Sequence, residues 1–390
     1  MCPAVVVVGG GYAGTLIAQA VDGDADVTLV DPRDAFVNFS GSLRALARPE
    51  WAHNPFFDYG TLLEHGRVVR DTVTSVDPAG VALASGGRID ADYLVLATGS
   101  THSYPAHPRH VSTSAAQAVR DLHATNDQLA RAERVLILGA GPVGLELAGE
   151  IREVWPDKGI TIVDPTPELL PGFLPQVRDD LRRQLEELKI ELRLGTSLTA
   201  LPPVEAGTAT TFTVTTDTGE VITADIWFRS FGARVNTGYL EDGGLIELTD
   251  RRTVPVGQHL NVAGYQDIYA VGDIADLPDA KMATHAQTQA QVVVDNLRSQ
   301  LRGENPATVY EPASVARIFL PLGTRGGIGQ LPNPDGGAKA APLKTVIERK
   351  GSDLFTARFA QRFHVSRLVG RNLDATRELD HLCPRGVCTK

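Results

Sequence analysis

The stretch VVVVGGGYAG, residues 5–14, decides the fold, because an apolar strand leads into a glycine-rich turn that opens a helix. The stretch RVLILGAGPVG, residues 134–144, repeats the pattern. In each copy the first glycine permits the tight turn, the second lets a pyrophosphate approach, and the third lets the helix pack on the strand. The loop residues are Gly9, Gly11, Tyr12, Ala13 and Gly14 in one copy and Gly139, Gly141, Pro142, Val143 and Gly144 in the other. Two copies predict two dinucleotide sites, one for FAD and one for NAD(P)H.

An acidic residue ends the strand that follows each glycine-rich helix. These residues are Asp31 in VTLVDPRDAF and Asp164 in ITIVDPTPELL. A carboxylate at this place accepts hydrogen bonds from a ribose diol. Asp164 also favours NADH over NADPH, because it would repel a 2′-phosphate and its neighbours in VDPTPE include no arginine. The alternative is a pair of structural βαβ turns without ligands.

The composition excludes several classes of protein. The chain has 390 residues, of which 43% are hydrophobic and 22% charged, which is typical of globular proteins of two or three domains. The net charge of −10 argues against a main role in nucleic-acid binding. There is no membrane-spanning apolar run and no signal peptide, so we expect a cytoplasmic protein, with peripheral membrane contact left open. No metal site is predicted.

The three cysteines are Cys2, Cys383 and Cys388, and the segment NFSGSLRALAR, residues 38–48, contains none. Disulfide reductases of this architecture keep their redox cysteines after the first Rossmann helix, so electron transfer to a disulfide there is excluded. The tail pair in CPRGVC is predicted to be inert. A disulfide, a metal contact and a thiol shuttle are the alternatives.

The order of elements predicts an α/β protein with two Rossmann-type dinucleotide-binding domains, arranged as in glutathione reductase, and a small α+β C-terminal domain. The strands of residues 67–100 are predicted to form a β-meander in the first domain, and those of residues 211–230 to return the chain to it. The FAD domain would then be discontinuous. The predicted domains are 1–108 with 226–310 for FAD, 109–225 for NAD(P)H, and 311–390 at the C-terminus.

A third signal is DIYAVGDIAD, residues 267–276, where an apolar strand ends in Gly272 and Asp273. In flavoproteins with two dinucleotide sites such an acid binds the ribityl hydroxyls of FAD; the alternative is a carboxylate that caps the next turn. The next predicted helix begins near Met282 and Ala283, and its dipole would stabilise the anionic reduced flavin. A further strand end expected near this cofactor comprises Ala97, Thr98 and Gly99.

The C-terminal region is predicted to contain a glycine-rich hairpin at VARIFLPLGTRGGIGQLP, residues 315–332. The stretch ARFAQRFHVSRLVGRNL, residues 357–373, is predicted to form a basic helix with an apolar side. Such a helix either lies on an anionic membrane surface or packs on the protein with its arginines in water. The sequence leaves both open.

Together these motifs resemble the apoptosis-inducing-factor-like FAD-dependent oxidoreductases, more specifically those of the ferroptosis-suppressor type, which are related to type II NADH dehydrogenases. The resemblance covers nearly the whole chain. Its most specific pieces are KMATHA (281–286), LGTRGGIGQ (322–330) and RKGSDLF (349–355), which lie outside the general Rossmann signature. The resemblance implies FAD, NAD(P)H and a quinone as electron acceptor. It does not imply lipid anchoring, because no glycine follows Met1.

The resemblance also implies catalytic roles for single residues. Glu146 matches the acid that meets the nicotinamide. Lys350 matches a lysine near the flavin and the quinone, where a cation stabilises a reduced ring or a quinol oxyanion. Phe355 would line the quinone pocket or belong to the core. His285, beside the flavin edge, would donate a proton or simply pack in its helix.

Two further residues match cofactor contacts of these proteins. Arg44 would lie close to the FAD or form a structural salt bridge, and Val73 would contact the cofactor.

One departure concerns the AQxxxQQ-type quinone motif of type II dehydrogenases. It is only partly present, because Val292 stands at the place of the last glutamine.

The leading hypothesis is an NADH-dependent quinone reductase, in which hydride passes from NADH through flavin N5 to a quinone. Several alternatives would keep the same fold and cofactors. They are a reductase of a protein carrier such as ferredoxin, a redox enzyme of secondary metabolism, and a non-catalytic redox-sensing flavoprotein. The oligomeric state is left open.

Overall fold

The structure is a computed structural model that describes residues 2–109, 111–365, 367–368 and 371–372. The tail cysteines, Cys383 and Cys388, lie outside these residues. The α-helices are α1 Tyr12–Val21, α2 Phe39–Ala47, α3 Ala115–Arg131, α4 Pro142–Val154, α5 Pro175–Glu187, α6 Ala283–Leu301, α7 Leu343–Val346 and α8 Thr356–Arg362. Short 3-10 turns lie at Pro49–Trp51, Tyr59–Thr61, Gly238–Leu240 and Gly272–Ile274, and a π-helical turn, Ile347–Gly351, follows α7.

The strands of the described residues form one large sheet in each dinucleotide domain and several small sheets. They are β1 Ala4–Val8, β2 Asp26–Asp31, β3 Ala35–Val37, β4 Phe56–Asp58, β5 Arg67–Arg70, β6 Val73–Asp77, β7 Gly80–Leu83, β8 Arg88–Asp90, β9 Tyr93–Leu96, β10 Ser100–Thr101, β11 Arg134–Leu138, β12 Gly159–Asp164, β13 Ile190–Leu194, β14 Phe212–Thr215, β15 Val221–Ala224, β16 Ile226–Arg229, β17 Arg234–Val235, β18 Ile268–Ala270, β19 Ile318–Leu322, β20 Gly326–Pro332, β21 Ala338–Ala340, β22 Arg367–Leu368 and β23 Arg371–Asn372.

The first sheet is parallel and has the order β18–β9–β1–β2–β5. The run of valines in β1 is explained by burial on both faces, which is usual for parallel sheets. Alternate valines lie in two hydrophobic clusters, one shared with α1 and α6 and the other with the meander. The carboxyl ends of β1, β9 and β18 are neighbours, so the segments that follow them meet at one edge of the sheet.

The predicted meander is correct in part. The strands β6, β7 and β8 form an antiparallel sheet. The strands β5 and β9, which the prediction included in the meander, instead belong to the parallel sheet: β5 pairs with β2 in register from Thr28 with Arg67 to Asp31 with Arg70, and β9 pairs with β1 and β18. The parallel sheet takes β5 because its edge strand β2 still offers unpaired backbone groups.

The second sheet is also parallel, with the order β13–β12–β11–β16. This order corrects the predicted domain boundary at residue 226, because β16 pairs with β11 from Val135 with Ile226 to Leu138 with Arg229. Residues 226–229 therefore belong to the second domain. The chain returns to the first domain afterwards, where β17 pairs antiparallel with β10.

The predicted C-terminal hairpin is confirmed, since β19 and β20 pair antiparallel across the glycine-rich turn. Within the described residues this region shares the cores of the other two domains. Ile318, Leu320 and Ile328 of the hairpin join the core of the second domain. Phe359 and Phe363 join the core of the first. The C-terminal region thus packs across both dinucleotide domains.

The predicted basic helix over residues 357–373 is wrong in its extent. The helix α8 ends at Arg362, and His364 has a φ of 55°, a left-handed value that stops a helix. Phe359 and Phe363 are 2% and 0% exposed, so the apolar side of α8 faces the core and is not available to a membrane surface. The packed alternative holds for the apolar side of this helix, and of its arginines Arg358 is exposed whereas Arg362 is partly buried. In the part of the chain that is described, no helix combines the length and apolar character that crossing a bilayer requires.

The helix α4 and the hairpin approach each other unusually closely at Gly149. A Cβ atom on Gly149 would lie 2.6 Å from the Cα of Leu322 and 2.8 Å from the backbone nitrogen of Gly323. Backbone atoms at these distances cannot move aside without shifting β19. Glycine at this position therefore lets the hairpin dock directly on α4.

We predict that Gly149→Ala lowers stability, although alanine favours a helix over glycine by about 1 kcal/mol. The overlap with the hairpin backbone should cost about 3 kcal/mol, the upper end of what overpacking costs elsewhere, because backbone atoms cannot yield as a side chain can, so the net effect is a loss. The measurement is the thermal midpoint of the FAD-loaded protein. The matched control is Gly172→Ala, since a Cβ there meets nothing within 4 Å. An unchanged or raised midpoint for Gly149→Ala would contradict the close docking.

Candidate functional site

The two glycine-rich loops have the same geometry. Gly9 and Gly139 have φ values of 102° and 112°, which side chains avoid. A Cβ on Gly14 would overlap the carbonyl oxygen of Gly9, and Gly144 stands in the same relation to Gly139. By contrast, a Cβ on the middle glycine, Gly11 or Gly141, would meet open space. Both loops thus leave room beside the backbone at a helix N-terminus, where a pyrophosphate would lie.

The two predicted acids support their loops in the same way. Asp31 accepts hydrogen bonds from the backbone N–H groups of Gly10, at 2.7 Å, and Arg33, at 2.8 Å. Asp164 accepts them from Ala140, at 2.6 Å, and Thr166, at 2.7 Å. Burial raises the pKa of the Asp31 carboxyl, and the two N–H donors partly oppose this rise.

The third predicted cofactor segment also lies at the edge of the first sheet. Gly272 and Asp273 follow β18, and Asp273 accepts a hydrogen bond from the hydroxyl of Ser100, just beyond β9. Met282 is the N-cap of α6 and Ala283 its first residue. The buried hydroxyl of Thr284 in that first turn has no hydrogen-bond partner among the described residues. An unsatisfied buried donor next to two strand ends fits a site for a polar cofactor such as FAD.

Other residues that are predicted to contact the cofactor follow β9 or lie in the meander. The strand end Ala97–Gly99 is held by Asn236, whose side chain donates to the Thr98 carbonyl at 2.9 Å. Val73 is a buried residue at the start of β6 in the meander. The contacts of these residues with a cofactor stay predictions.

The structure brings Glu146 and Lys350 together, although 204 positions separate them in sequence. The Nζ of Lys350 lies 2.6 Å from an Oε of Glu146, and the two side chains are 14% and 9% exposed. Glu146 follows the second glycine-rich loop on α4, whereas Lys350 lies on the π-helical turn. Burial raises the pKa of the Glu146 carboxyl, and the Lys350 ammonium lowers it in part.

Phe355 lies five residues after Lys350. Asn38, a residue that the sequence analysis did not identify, connects this segment with the first glycine-rich loop. Phe355 has a φ of 62°, and its N–H donates to Asp353 at 3.0 Å. Asn38 is fully buried, donates to the Leu354 carbonyl at 2.8 Å and contacts the hydroxyl of Tyr12 at 3.1 Å. Burial raises the pKa of that hydroxyl to about 12, so Tyr12 stays neutral.

Arg44 forms the salt bridge that was the alternative prediction. Its Nη2 lies 2.8 Å from an Oε of Glu150, and both side chains are buried. The sequence reasoning missed Glu150, because an acid on an amphipathic helix usually faces water. Its position four residues after Glu146 was the signal that could have found it.

His285 lies in a small pocket beside the third cofactor segment. The pocket is lined by Gly272, Asp273, Asp279, Lys281, Met282 and His285. The imidazole Nδ1 is 3.6 Å from Asp279, which also accepts a hydrogen bond from the hydroxyl of Tyr310 at 2.8 Å. His285 is thus oriented by a buried carboxylate at the edge predicted for the flavin, while Glu146 and Lys350 meet at the contact between α4 and the C-terminal region.

Comparisons with known proteins agree with this geometry. Residues 3–291 match the family model of pyridine nucleotide-disulphide oxidoreductases. The chain is 31% identical over 365 residues to ferroptosis suppressor protein 1 of Taeniopygia guttata, covering 91% of this chain and 94% of that protein. It is 26% identical over 344 residues to apoptosis-inducing factor homolog B of Dictyostelium discoideum, covering 84% and 89% of the two chains.

A solved structure shows the same fold. The sulfide:quinone oxidoreductase of Aquifex aeolicus superposes with a TM-score of 0.70 at 16% identity, covering 98% of this chain and 95% of that one. At this identity the likeness concerns the fold alone. The family match, the relatives and the two glycine-rich loops agree with one another. The chain therefore belongs to the pyridine nucleotide-disulphide oxidoreductase family, grouped with the ferroptosis suppressor and apoptosis-inducing-factor-like proteins, and is an FAD-dependent oxidoreductase that uses NAD(P)H.

Proposed function

We propose that this protein transfers hydride equivalents from NADH to a quinone. The observation that carries the proposal is the buried pair of Glu146 and Lys350, with Nζ and Oε 2.6 Å apart. The pair joins the second dinucleotide loop to the RKGSDLF segment, which the resemblance connects with the quinone. The relation to ferroptosis suppressor proteins, over almost the full length of both chains, supports the same class of acceptor.

Bound FAD supplies the two-electron centre that accepts hydride from the nicotinamide and passes electrons to the acceptor. Glu146 places a carboxylate at the start of α4, where it can orient the polar end of a nicotinamide. Lys350 holds a proton on Nζ and places a positive charge where negative charge develops during reduction. His285 on α6, whose Nδ1 lies 3.6 Å from Asp279, is a second proton donor. Phe355 and Tyr12, both partly buried, contribute an apolar wall that limits the access of water.

The proposed preference for NADH depends on Asp164. Its carboxylate accepts two backbone hydrogen bonds, which hold the negative charge at the end of β12. A ribose diol can donate to this carboxylate, whereas a 2′-phosphate would be repelled by it.

We predict that Glu146→Gln and Lys350→Met slow different half-reactions, measured by anaerobic stopped-flow absorbance of the flavin. Glu146→Gln should slow reduction by NADH at least about tenfold, because the nicotinamide loses an orienting charge. Lys350→Met should slow reoxidation by menadione at least about tenfold, because the quinol oxyanion loses a cation and a proton source.

The matched control for these variants is Lys344→Met in the same C-terminal segment, because Lys344 is 84% exposed and pairs only loosely with Glu348, at 3.7 Å. It should behave as the parent protein. If menadione reoxidises the parent slowly and a ferredoxin does so rapidly, the quinone proposal is wrong and the protein-carrier alternative is favoured.

We predict that Asp164→Asn relaxes coenzyme selectivity, because asparagine keeps one of the two acceptor oxygens that bind the backbone N–H groups of Ala140 and Thr166 but loses the negative charge. The ratio of kcat/KM for NADH to that for NADPH should fall about tenfold or more, which corresponds to roughly 1.4 kcal/mol. Glu168→Gln in the same loop is the control, since its carboxylate is exposed and pairs with Arg178. An unchanged ratio in Asp164→Asn would show that this carboxylate does not select the coenzyme.

A further inference from the structure

Three carboxylates of α4 lie on one face of the helix at i, i+4 and i+7, and we call Glu146, Glu150 and Glu153 the acidic stripe. Each carboxylate contacts a different partner. Glu146 pairs with Lys350, and Glu150 pairs with Arg44 of α2. Glu153 accepts the backbone N–H of Thr324, at 2.7 Å, in the turn of the hairpin. The acidic stripe therefore connects three parts of the chain that meet beside the candidate site.

Arg44 does more in this connection than neutralise Glu150. Its Nη2 also donates to the carbonyl of Gly351 at 2.8 Å, and its Nη1 donates to the carbonyl of Ser352 at 3.2 Å. These carbonyls belong to the two residues that follow Lys350. The guanidinium is also 5.2 Å from the ring centre of Trp51, so its plane is held on several sides. One buried arginine thus contacts the acidic stripe and the backbone next to Lys350.

Lys350 needs such support because of where it lies. It is part of a π-helical turn, a rare conformation that is frequent at functional sites. At the end of a helical turn, carbonyl groups are left without intrahelical donors, and buried carbonyls need other partners. A lysine side chain also loses much rotamer freedom when its Nζ is fixed. A backbone held in one place reduces the number of Nζ positions that compete with the contact to Glu146.

We propose that Arg44 and Glu150 are positioning residues that hold the backbone of the π-helical turn so that Lys350 reaches Glu146. Arg44 acts through the carbonyls of Gly351 and Ser352, and Glu150 neutralises and orients the Arg44 guanidinium. The proposal rests on the proposed function, which gives the Glu146–Lys350 pair its role in the reaction.

The competing explanation is that the buried ion pair only stabilises the fold. The double variant Arg44→Met/Glu150→Met separates the two, because it removes both charges and leaves neither unpaired. Apolar residues in place of a buried ion pair often keep or raise stability. A purely structural pair would therefore be replaced without effect on Lys350. A positioning pair would not, because methionine cannot donate to the two carbonyls.

The first readout is the exposure of Lys350, measured by pulse labelling of amines and mass spectrometry of the FAD-loaded protein. In the double variant the labelling rate at Lys350 should rise about tenfold, because the ammonium leaves Glu146 for a range of rotamers. Arg48→Met is the matched control at the C-cap of α2, since Arg48 contacts the acidic stripe at Glu153, 3.2 Å away, and only distantly at Glu150, 3.9 Å away. It should leave the labelling rate at the parent value. An unchanged rate in the double variant overturns the proposal.

The second readout is the pH profile of flavin reduction by NADH. Burial raises the pKa of Glu146 and Lys350 lowers it. Glu150 and Arg44 act on the same pKa more weakly and with opposite signs, and the double variant removes both, so the loss of the Lys350 contact is what raises that pKa further. The acid limb of the profile should therefore move to higher pH in the double variant, as in Lys350→Met. Adding Lys350→Met to the double variant should cause no further shift, because both changes remove the same contact. Additive shifts would contradict the proposal.

Two further results distinguish a failure of this proposal from a failure of the variant to fold and from a failure of the proposed function. If the double variant does not fold, Arg44→Lys replaces it, because a single ammonium keeps the charge but cannot reach Glu150 and both carbonyls. Arg44→Lys should show the same rise in labelling of Lys350 and the same shift of the pH profile. Labelling and a pH profile like those of the parent protein would overturn the proposal. If Lys350→Met leaves both half-reactions unchanged, the proposed function fails. The labelling experiment still decides whether Arg44 positions Lys350.

Discussion

The close contact between α4 and the backbone of the β19–β20 hairpin is the constraint on which the rest of the candidate site depends. Only a glycine at position 149 permits it, because a Cβ would lie 2.6 Å from the Cα of Leu322. Glu146 and Glu150 flank this contact on the same helix. Because the hairpin docks here, the π-helical turn beyond it is brought over α4 and Lys350 can reach a carboxylate 204 positions earlier in the chain. Backbone packing therefore brings the π-helical turn close to α4, and the charge pairs then act between segments that already lie next to each other.

Burying Glu146 and Glu150 at this contact, with Glu153 partly buried beside them, is costly unless each finds a partner, because the effective penalty for a lone buried charge is several kcal/mol. The structure provides a partner for each member of the acidic stripe. Glu146 has Lys350, Glu150 has Arg44, and Glu153 has Thr324 and Arg48. Three of these partners are cations: Lys350 of the C-terminal region, Arg44 of α2 and Arg48 at the C-cap of α2. The charge pairs thus specify how the domains meet, and they do so in a site from which water is largely excluded, where an electrostatic contact acts strongly on a developing charge.

The sequence predicts those features of the fold that depend on neighbouring residues in the chain. The glycine spacing of both loops, the following acids and the hairpin were predicted correctly, because each depends on a few consecutive residues. Glu146 and Lys350 were identified by resemblance, and no spacing rule shows that they touch. The assignments that failed depend on distant partners: β16 joins the second sheet because β11 offers it a free edge, and α8 ends at Arg362, after which Phe363 packs in the core of the first domain. Asn38 could not be found, since the carbonyl that gives it a role lies 316 positions away.

Residues 38–48, which contain no cysteine, have a different role in this structure from the one that the same segment has in disulfide reductases. In disulfide reductases this segment holds the redox pair, whereas here α2 and its N-cap hold the C-terminal region in place. Asn38 donates to the carbonyl of Leu354, and Arg44 donates to those of Gly351 and Ser352. The surface that would present a disulfide is thus covered by the RKGSDLF segment, which brings a cation and an aromatic ring in its place. A cation and an aromatic ring on one segment support the proposed quinone acceptor, because a quinone is a small planar molecule that gains negative charge as it is reduced.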